Sequence, residues 1–187
     1  MKVLIVVTHP DDETIWMGGT ILKNRDWDME LICLCRKNDL DRAPKFFKVC
    51  KELNVKASIS DLEDEKLNDI ELNEVLVRIR NMLKDKSYDY IFTHNFDGEY
   101  GHKRHMDVYN AVNFMIKNKE LKCKKIFYFA YKKKDDCCIA NEEADKFIRL
   151  DKKIFLKKKH LIKEVYGFHE GGFEEKSCGD REAFYIR

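Results

Sequence analysis

The sequence predicts an α/β fold with a mostly parallel, doubly wound sheet that has helices on both faces. Residues 1–8 form a continuous run rich in Val, Ile and Leu, which is typical of a strand buried on both faces of a parallel sheet. Further short apolar runs alternate with longer segments of helical periodicity, and this alternation indicates βαβ units. At 187 residues, one domain spanning 1–187 is expected.

In the first half of the chain, three predicted strands alternate with three predicted helices. The helix after the first strand is indicated by apolar residues at helical spacing, and Pro44 suits the first turn of the second helix. The third helix has a single apolar stripe. Strands are predicted at residues 1–8, 28–36 and 56–60, helices at 13–25, 44–53 and 70–86, and a polar connection at 61–69.

The second half of the chain continues the same alternation. Aromatic and β-branched residues predict the fourth and fifth strands, and a lysine-rich amphipathic segment predicts the last helix. Strands are predicted at residues 88–93 and 125–131, helices at 105–117 and 152–166, a short strand at 147–150, and an edge strand at 183–186.

The composition excludes several classes of protein. Lys and Arg number 36 against 34 Asp and Glu, and the net charge of +2 does not indicate binding to nucleic acid. The seven cysteines contain no CxxC motif, so reduced thiols are expected, and adjacent Cys137 and Cys138 are interpreted as ordinary thiols rather than a redox pair. No apolar stretch approaches the ~20 residues of a membrane span. We therefore expect a cytoplasmic protein.

Polar residues concentrate after two of the predicted strands. Residues 8–14 follow the first strand and contain three consecutive acids, and residues 94–105 follow the fourth. Together the two segments hold four of the six histidines. In doubly wound folds, ligands bind beyond the carboxyl ends of the strands, so we expect both segments to open on one crevice.

The residue types in these segments are those of metal-assisted hydrolysis. A catalytic zinc takes three protein ligands, often two imidazoles and a carboxylate, and leaves one position to water. His9 and Asp12 are three residues apart where a loop meets a helix, and His102 and His105 have the same spacing. Asp11 lies between two candidate ligands and could accept a proton from the water that the metal activates.

Each half of this pattern also has an ordinary structural interpretation. The acids of the first segment could cap a helix, and the second pair of histidines could be surface residues of a helical turn. Their joint occurrence at two strand ends favours the metal site. We expect His94 to be a hydrogen-bonded loop residue or a substrate contact rather than a fourth ligand, and His160 and His169 to be structural or solvent-exposed.

The two histidine motifs resemble those of a known family. Thr-His-Pro-Asp-Asp-Glu at residues 8–13 and Gly-His-x-x-His at residues 101–105 are similar to the motifs of the LmbE-like, or PIG-L, zinc-dependent N-deacetylases. The resemblance extends over essentially the whole chain through less specific positions, which are Arg42, residues 52–55, the lysine-rich stretch at 157–163, and residues 181–184.

This resemblance implies a Rossmann-like fold and removal of an acetyl group from an N-acetylated sugar. N-Acetylglucosamine in a glycoconjugate, glycolipid or nucleotide sugar is the implied type of substrate. The implied cofactor is zinc, although two imidazoles and a carboxylate also suit iron or cobalt. The implied roles are His9, Asp12 and His105 as metal ligands, Asp11 as general base, His102 as oxyanion stabiliser or proton donor to the amine, and Arg42 as a supporting residue beside the base.

The sequence departs from the family pattern in two places. Many relatives have Pro-Asp between the two histidines of the second motif, where this chain has Lys103 and Arg104. Without that carboxylate, a lower pKa is expected for His102. Near the carboxyl end, Tyr166 and Gly167 replace a common Ser-Gln pair.

Two other interpretations were weighed against the deacetylase. A non-catalytic sugar- or nucleotide-binding domain is supported only by the Lys103–Arg104 departure. A receiver-like phosphoacceptor domain would use Asp61, Thr93 and Lys132, but it would not need the histidines and would leave much of the chain unexplained.

Residues 117–134 carry eight lysines and one acid, Glu120. This excess could contact an anionic substrate or a membrane surface. A solvated face of a lysine-rich protein is the preferred interpretation. The acceptor sugar and the oligomeric state do not follow from the sequence.

Overall fold

The computed structural model of the protein describes all 187 residues, and its centre is a seven-stranded sheet. The nine strands of the chain are β1 (Lys2–Val7), β2 (Asp28–Cys35), β3 (Lys56–Leu62), β4 (Ser87–Thr93), β5 (Lys122–Phe129), β6 (Tyr131–Lys134), β7 (Cys137–Ala140), β8 (Lys146–Arg149) and β9 (Arg181–Ile186). The central sheet has the order β3-β2-β1-β4-β5-β9-β8, and β6 and β7 form a separate hairpin.

Strands β1 to β5 are parallel, whereas β9 runs antiparallel to β5 and β8 antiparallel to β9. The predicted mostly parallel, Rossmann-like α/β domain is therefore confirmed. The helices are α1 (Asp12–Lys23), α2 (Arg42–Leu53), α3 (Leu72–Met82), the short turn α4 (Gly98–Gly101), α5 (Lys103–Lys117), α6 (Lys152–His160) with a π-helical continuation (Leu161–Val165), and α7 (Phe173–Ser177). None of them combines the length and apolar character needed to cross a membrane.

The sheet separates two hydrophobic cores, and β1 contributes to both. Val3, Ile5 and Val7 point into the core formed with α1, α2 and the π-helical turn. Leu4 and Val6 point into the core formed with α3 and α5. Successive side chains of a strand alternate between faces, so a strand with helices on both sides must be apolar at every position. This explains the unbroken run of Val, Ile and Leu at the start of the sequence.

Several predicted elements differ from the structure in their extent or position, and three of the differences matter for the sheet and the helices beside it. The predicted strand at 125–131 is divided at Ala130, because β5 ends at Phe129 and Tyr131 begins the hairpin. The predicted edge strand at 183–186 instead lies inside the sheet, between β5 and β8, and β8 forms the edge. Helix α3 ends at Met82 rather than near residue 86, because Leu83 is extended.

The order of the strands reverses at β1, which lies between β2 and β4. The two loops that follow β1 and β4 therefore leave neighbouring strands at the same edge of the sheet, and Val6 is paired with Thr93 beside them. Such switch points form the crevice in which doubly wound folds bind their ligands. The expectation that both histidine segments meet in one crevice is correct.

Candidate metal centre

The loop after β1 forms a tight turn that presents two acids, Asp11 and Asp12, to the crevice. Asp11 has a φ of 121°, which for a residue other than glycine costs about 1–3 kcal/mol. Its carbonyl oxygen accepts hydrogen bonds from the amides of Thr14 (2.9 Å) and Ile15 (2.8 Å), and its own amide donates to the Glu13 carboxylate (3.1 Å). These bonds hold the strained turn, and α1 begins directly after it at Asp12.

The three predicted ligands lie close together, and Asp12 approaches the two imidazoles with different oxygens. Nδ1 of His9 lies 3.2 Å from Nε2 of His105 and 3.4 Å from an oxygen of Asp12, and Nε2 of His105 lies 3.6 Å from the other Asp12 oxygen. Ligands about 2.0–2.1 Å from a tetrahedral zinc are about 3.3 Å apart, so these separations fit such an ion. Two imidazoles and a carboxylate are also the donor types of catalytic zinc sites.

Hydrogen bonds on the side away from the cluster orient two of these three donors, His9 and Asp12. Nε2 of His9 is 2.9 Å from Asp64, which leaves Nδ1 to face the cluster. One oxygen of Asp12 accepts from the indole N–H of Trp16 (2.9 Å). Burial alone would lower the pKa of His9, but its hydrogen bonds to Asp12 and Asp64 raise that pKa to about 10. The space between the donor atoms of His9, Asp12 and His105 therefore favours a positive charge.

Glu99 is the buried partner of the third donor. Its carboxylate lies 2.5 Å from Nδ1 of His105, which leaves Nε2 to face the cluster, and burial together with His94 lowers the pKa of His105 so that its ring is neutral. Glu99 also binds Nδ1 of His94 (2.9 Å) and accepts from the amide of Asn95 (2.8 Å). Carboxylates behind metal-binding imidazoles fix the ring orientation in this way.

His94 is a buried loop residue, one of the two roles expected for it. The amide of Thr8 donates to its Nε2 (3.0 Å), and its ring stacks on that of His105 with centroids 3.8 Å apart. Its Nε2 also lies 3.4 Å from Asp12, so geometry alone would admit it to the cluster. Because a backbone amide already occupies that nitrogen, we interpret His94 as a positioning residue that joins β1 to the loop after β4.

Asp11 and Arg42 form an ion pair at the side of the cluster, the arrangement that the family resemblance implies. Arg42 donates to Asp11 at 3.0 Å and packs over the ring of Phe168. Burial, followed by the neighbouring Asp12, raises the pKa of the Asp11 carboxyl, and Arg42 opposes that rise. A carboxylate with a raised pKa is suited to accept and return a proton near neutral pH.

Glu13 supports Asp11 from inside the protein. It is fully buried and accepts hydrogen bonds from the hydroxyls of Thr14 (2.6 Å) and Tyr166 (2.8 Å) as well as from the amide of Asp11. Burial raises its pKa to about 7. Tyr166, one of the departures from the family pattern, thus holds the acid that orients the Asp11 turn.

His102 lies beside the cluster and is not tied to a carboxylate. Its ring packs edge-on against that of His9 with centroids 4.7 Å apart, and its Nε2 is 3.9 Å from Asp64. Its Nδ1 is buried without a hydrogen-bond partner. Burial, with the neighbouring His105 and His9, lowers the pKa of His102 to about 3, in agreement with the expected lowering. The ring is therefore neutral.

A cavity of about 340 Å³ opens onto these residues. His9, Asp11, Asp12 and His102 form its polar side. Its other walls come from separate parts of the chain, and they include Trp16, Arg36, Asp39, Arg42, Asp64, Tyr100, Phe173 and Glu174. Its size is at the lower end of the range of small-molecule sites, about 300–1,000 Å³. The cavity therefore suits a small group, with longer substrates extending outside.

The remaining candidates of the sequence lie away from the cavity. His160 ends α6 and His169 follows the π-helical turn, and neither lines the cavity. Among the residues of the receiver-like alternative, Asp61 accepts from Arg78, and the hydroxyl of Thr93 donates to the carbonyl of Val6. These contacts occupy the side chains that a phosphoacceptor site would require.

The lysines of residues 117–134 fall into two groups rather than one patch. Five lie near the amino end of β5, at the edge of the sheet opposite the cavity, and three lie on β6 beyond its carboxyl end. At about 3.3 Å per residue, the length of β5 separates the groups by on the order of 20 Å. Contact of either group with an anionic partner stays a prediction.

The fold and the cluster define an α/β protein with histidine and aspartate side chains that could hold a metal ion at the switch point of its sheet. The family model "PIG-L: GlcNAc-PI de-N-acetylase" matches residues 4–116, more than half of the chain. The chain therefore belongs to the PIG-L family, and the resemblance drawn from the two histidine motifs is confirmed.

One sequence relative is the uncharacterized protein L374 of Acanthamoeba polyphaga mimivirus, 28% identical over 120 residues. The match covers 56% of this chain and 53% of the viral protein, so the chain matches only about half the length of that relative. Family membership thus describes the matched region and does not by itself establish a substrate.

Solved structures share the fold at low sequence identity. N,N'-Diacetylchitobiose deacetylase from Pyrococcus horikoshii has a TM-score of 0.69 and 17% identity, and the match covers 100% of this chain and 83% of that one. The 4-carboxy-2-hydroxymuconate hydratase of Pseudomonas putida KT2440 has a TM-score of 0.65 and 14% identity, with coverage of 99% and 95%. Because a deacetylase and a hydratase both match, the fold alone does not select the reaction.

Proposed function

We propose that this protein is a metal-dependent N-deacetylase that hydrolyses the acetamide of an N-acetylated amino sugar. The observation that carries the proposal is the convergence of His9, Asp12 and His105 on one point beside Asp11, at the wall of an open cavity. Membership in a family described by its de-N-acetylase activity supports the reaction type.

The three converging residues would hold the metal, and zinc is the proposed ion. Their donor types and separations suit it, and Asp64 and Glu99 orient the two imidazoles. When bound, a divalent cation supplies a Lewis acid that polarises the amide carbonyl and lowers the pKa of water.

Asp11 is the proposed general base. It takes a proton from the attacking water on its carboxylate and returns it to the amide nitrogen, so that the C–N bond breaks and acetate and a free amine are released. Arg42, at 3.0 Å, keeps a fraction of the carboxylate ionised against the effect of burial, and Glu13 fixes the backbone of the turn.

His102 is proposed to donate a hydrogen bond to the carbonyl oxygen of the substrate as negative charge develops there. Its low pKa favours this role of a neutral imidazole over that of a charged acid. Its Nδ1 makes no hydrogen bond within the protein, and its Nε2 lies no closer than 3.9 Å to Asp64, which is consistent with this role. A single donor of this kind contributes about 3–4 kcal/mol to the transition state in acyl-transfer enzymes.

The substrate class is proposed to be an N-acetylglucosamine-type sugar in a glycoconjugate, glycolipid or nucleotide sugar. The cavity admits a small group, and two half-buried arginines at its wall, Arg36 and Arg42, would meet the polar remainder of such a molecule.

Metal analysis combined with an acetate-release screen over N-acetylated sugars tests the function. The purified protein is expected to bind one metal per chain and to release acetate and amine in equal amounts, and His105→Ala is expected to lose both properties. Measuring the amine is essential, because a hydratase shares the fold and would release none. Tight metal binding without acetate release from any sugar would favour the non-catalytic alternative instead.

A further inference from the structure

The loop between β3 and α3 brings a carboxylate to the metal centre. Asp64 is almost fully buried, and its two oxygens have different partners. One lies 2.9 Å from Nε2 of His9, and the other accepts two hydrogen bonds from Arg36 (2.8 and 3.1 Å). No regular secondary structure spans residues 63–71, so other contacts must fix the position of Asp64.

In addition to the direct contact from Arg36, Arg104 in the first turn of α5 holds the loop on both sides of Asp64. Its side chain is fully buried, and its guanidinium donates to the carbonyl oxygens of Glu63 (2.5 Å) and Asn68 (2.6 Å) and to the carboxylates of Glu63 (2.8 Å) and Asp107 (2.7 Å). The two carbonyls lie on either side of Asp64 along the chain. Without this donor, the two carbonyls would depend on solvent for a partner, and the loop would lose its hydrogen bonds to α5.

Lys103 extends this attachment toward the end of the loop. Its ammonium group donates to the carbonyl oxygen of Leu67 (2.9 Å) and to the carboxylate of Asp69. Lys103 and Arg104 are the two residues that replace Pro-Asp of the family pattern. All their side-chain contacts except the one from Arg104 to Asp107 are with residues 63–69.

We propose that Arg104, assisted by Lys103, is a positioning residue for the metal centre, which acts by holding residues 63–69 so that Asp64 orients His9. The inference rests on the proposed function, since His9 is a ligand only if a metal is bound. A guanidinium is suited to this task because its planar, forked donors reach several acceptors at once. The two residues that depart from the family pattern thus support the metal centre through the loop between β3 and α3.

Zinc affinity, measured by competition with a chelating dye on metal-free protein, tests the proposal without relying on turnover. Asp64→Ala is expected to weaken binding about 10- to 100-fold, the usual effect of removing a partner of a metal-binding imidazole. Arg104→Ala is expected to weaken zinc binding by a factor in the same range. The double variant is expected to bind no more weakly than Asp64→Ala alone, because both changes interrupt one chain of contacts.

Arg80→Ala is the matched control, since Arg80 makes a two-pronged contact with Glu120 on the surface away from the site. Amide hydrogen exchange within residues 63–69 is expected to accelerate in Arg104→Ala and to stay unchanged in the control. A folded Arg104→Ala protein with wild-type zinc affinity would overturn the proposal. Losses of zinc affinity that multiply in the double variant would also overturn the proposal, because the two substitutions would then act independently.

Lys103→Ala provides a second test if Arg104→Ala does not fold. Lys103 is partly exposed, and its removal is expected to weaken zinc binding about 3-fold, as for the loss of an exposed ion pair, and to have no effect when Asp64 is already alanine. An equal loss of zinc affinity in the wild-type and the Asp64→Ala proteins would overturn the proposal. Failure of the wild-type protein itself to bind zinc would refute the proposed function, whereas wild-type binding with unaffected variants would refute only the positioning role.

Discussion

Glu99 offers a demanding test of the metal centre, because one buried carboxylate serves three donors. It accepts from the amide of Asn95 with one oxygen and from the Nδ1 atoms of His94 and His105 with the other. Glutamine has nearly the same shape but only one acceptor oxygen. We predict that Glu99→Gln will weaken metal binding while the protein remains folded.

The magnitude follows from the two orientations available to the new amide. If its oxygen faces the imidazoles, its NH₂ group opposes the N–H of Asn95, and an unmade buried hydrogen bond costs about 1–3 kcal/mol. If its NH₂ group faces the imidazoles, the proton of His105 must move from Nδ1 to Nε2, which is the atom proposed to bind the metal. The expected loss of affinity is about 10- to 100-fold, or about 1.4–2.8 kcal/mol.

Zinc titration against a chelating dye and thermal unfolding of the metal-free protein measure the two effects separately. Glu120→Gln is the control, because Glu120 pairs with Arg80 on the surface, where an ion pair contributes about 0–1 kcal/mol. Wild-type zinc affinity in a folded Glu99→Gln protein would show that His105 does not need this partner, and the assignment of His105 as a ligand would lose its main structural support.

Two further predictions concern the base and the core. The proposed mechanism requires ionised Asp11, and Arg42 lowers the pKa of that carboxyl. Arg42→Ala should therefore move the acid limb of the pH profile of kcat/KM to higher pH, and a limb that stays in place or moves to lower pH would contradict the pairing. Lys158 and Glu182 form a fully buried ion pair at 2.8 Å. The Glu182 carboxylate also accepts hydrogen bonds from the amides of Gly19 and Thr20 and from the Thr20 hydroxyl. Lys158→Ala should therefore reduce the free energy of unfolding by about 3 kcal/mol in urea denaturation, the lower end of the usual cost of breaking a buried ion pair, and a loss below about 1 kcal/mol would show that those hydrogen bonds stabilise the carboxylate without Lys158.

The positions of the first five strands along the chain were predictable because they depend on patterns within short segments. Burial on both faces makes β1 apolar throughout, and turns after β1 and β4 are rich in residues that bind ligands. The position of β9 was not predictable in the same way, because its neighbours depend on contacts distant in sequence. A short segment such as residues 183–186 fits an edge or an interior strand equally well.

The site shows the same division between local and distant information. The spacing of residues 9–12 and 102–105 indicates a metal centre, and the structure brings these side chains together. The partners Glu99 and Asp64 were not identified from the sequence. Glu99 is in a left-handed conformation (φ 61°) within a kinked turn. Asp64 belongs to the connection at residues 61–69, for which the sequence indicates only polar character. Glu99 follows one of its partners, His94, by five positions and precedes the other, His105, by six, so its place between the two histidines was the available signal.

Comparison of Asp11→Asn with the wild-type protein tests the central claim most directly. Asparagine preserves the shape of the side chain, tolerates a positive φ and cannot accept the proton. The measurement is acetate release at saturating zinc, with bound zinc determined on the same samples. We predict unchanged zinc content and a rate reduced by about 10²–10⁴-fold, the usual contribution of a general base. Zinc-loaded Asp11→Asn protein that releases acetate at the wild-type rate would contradict the proposed mechanism.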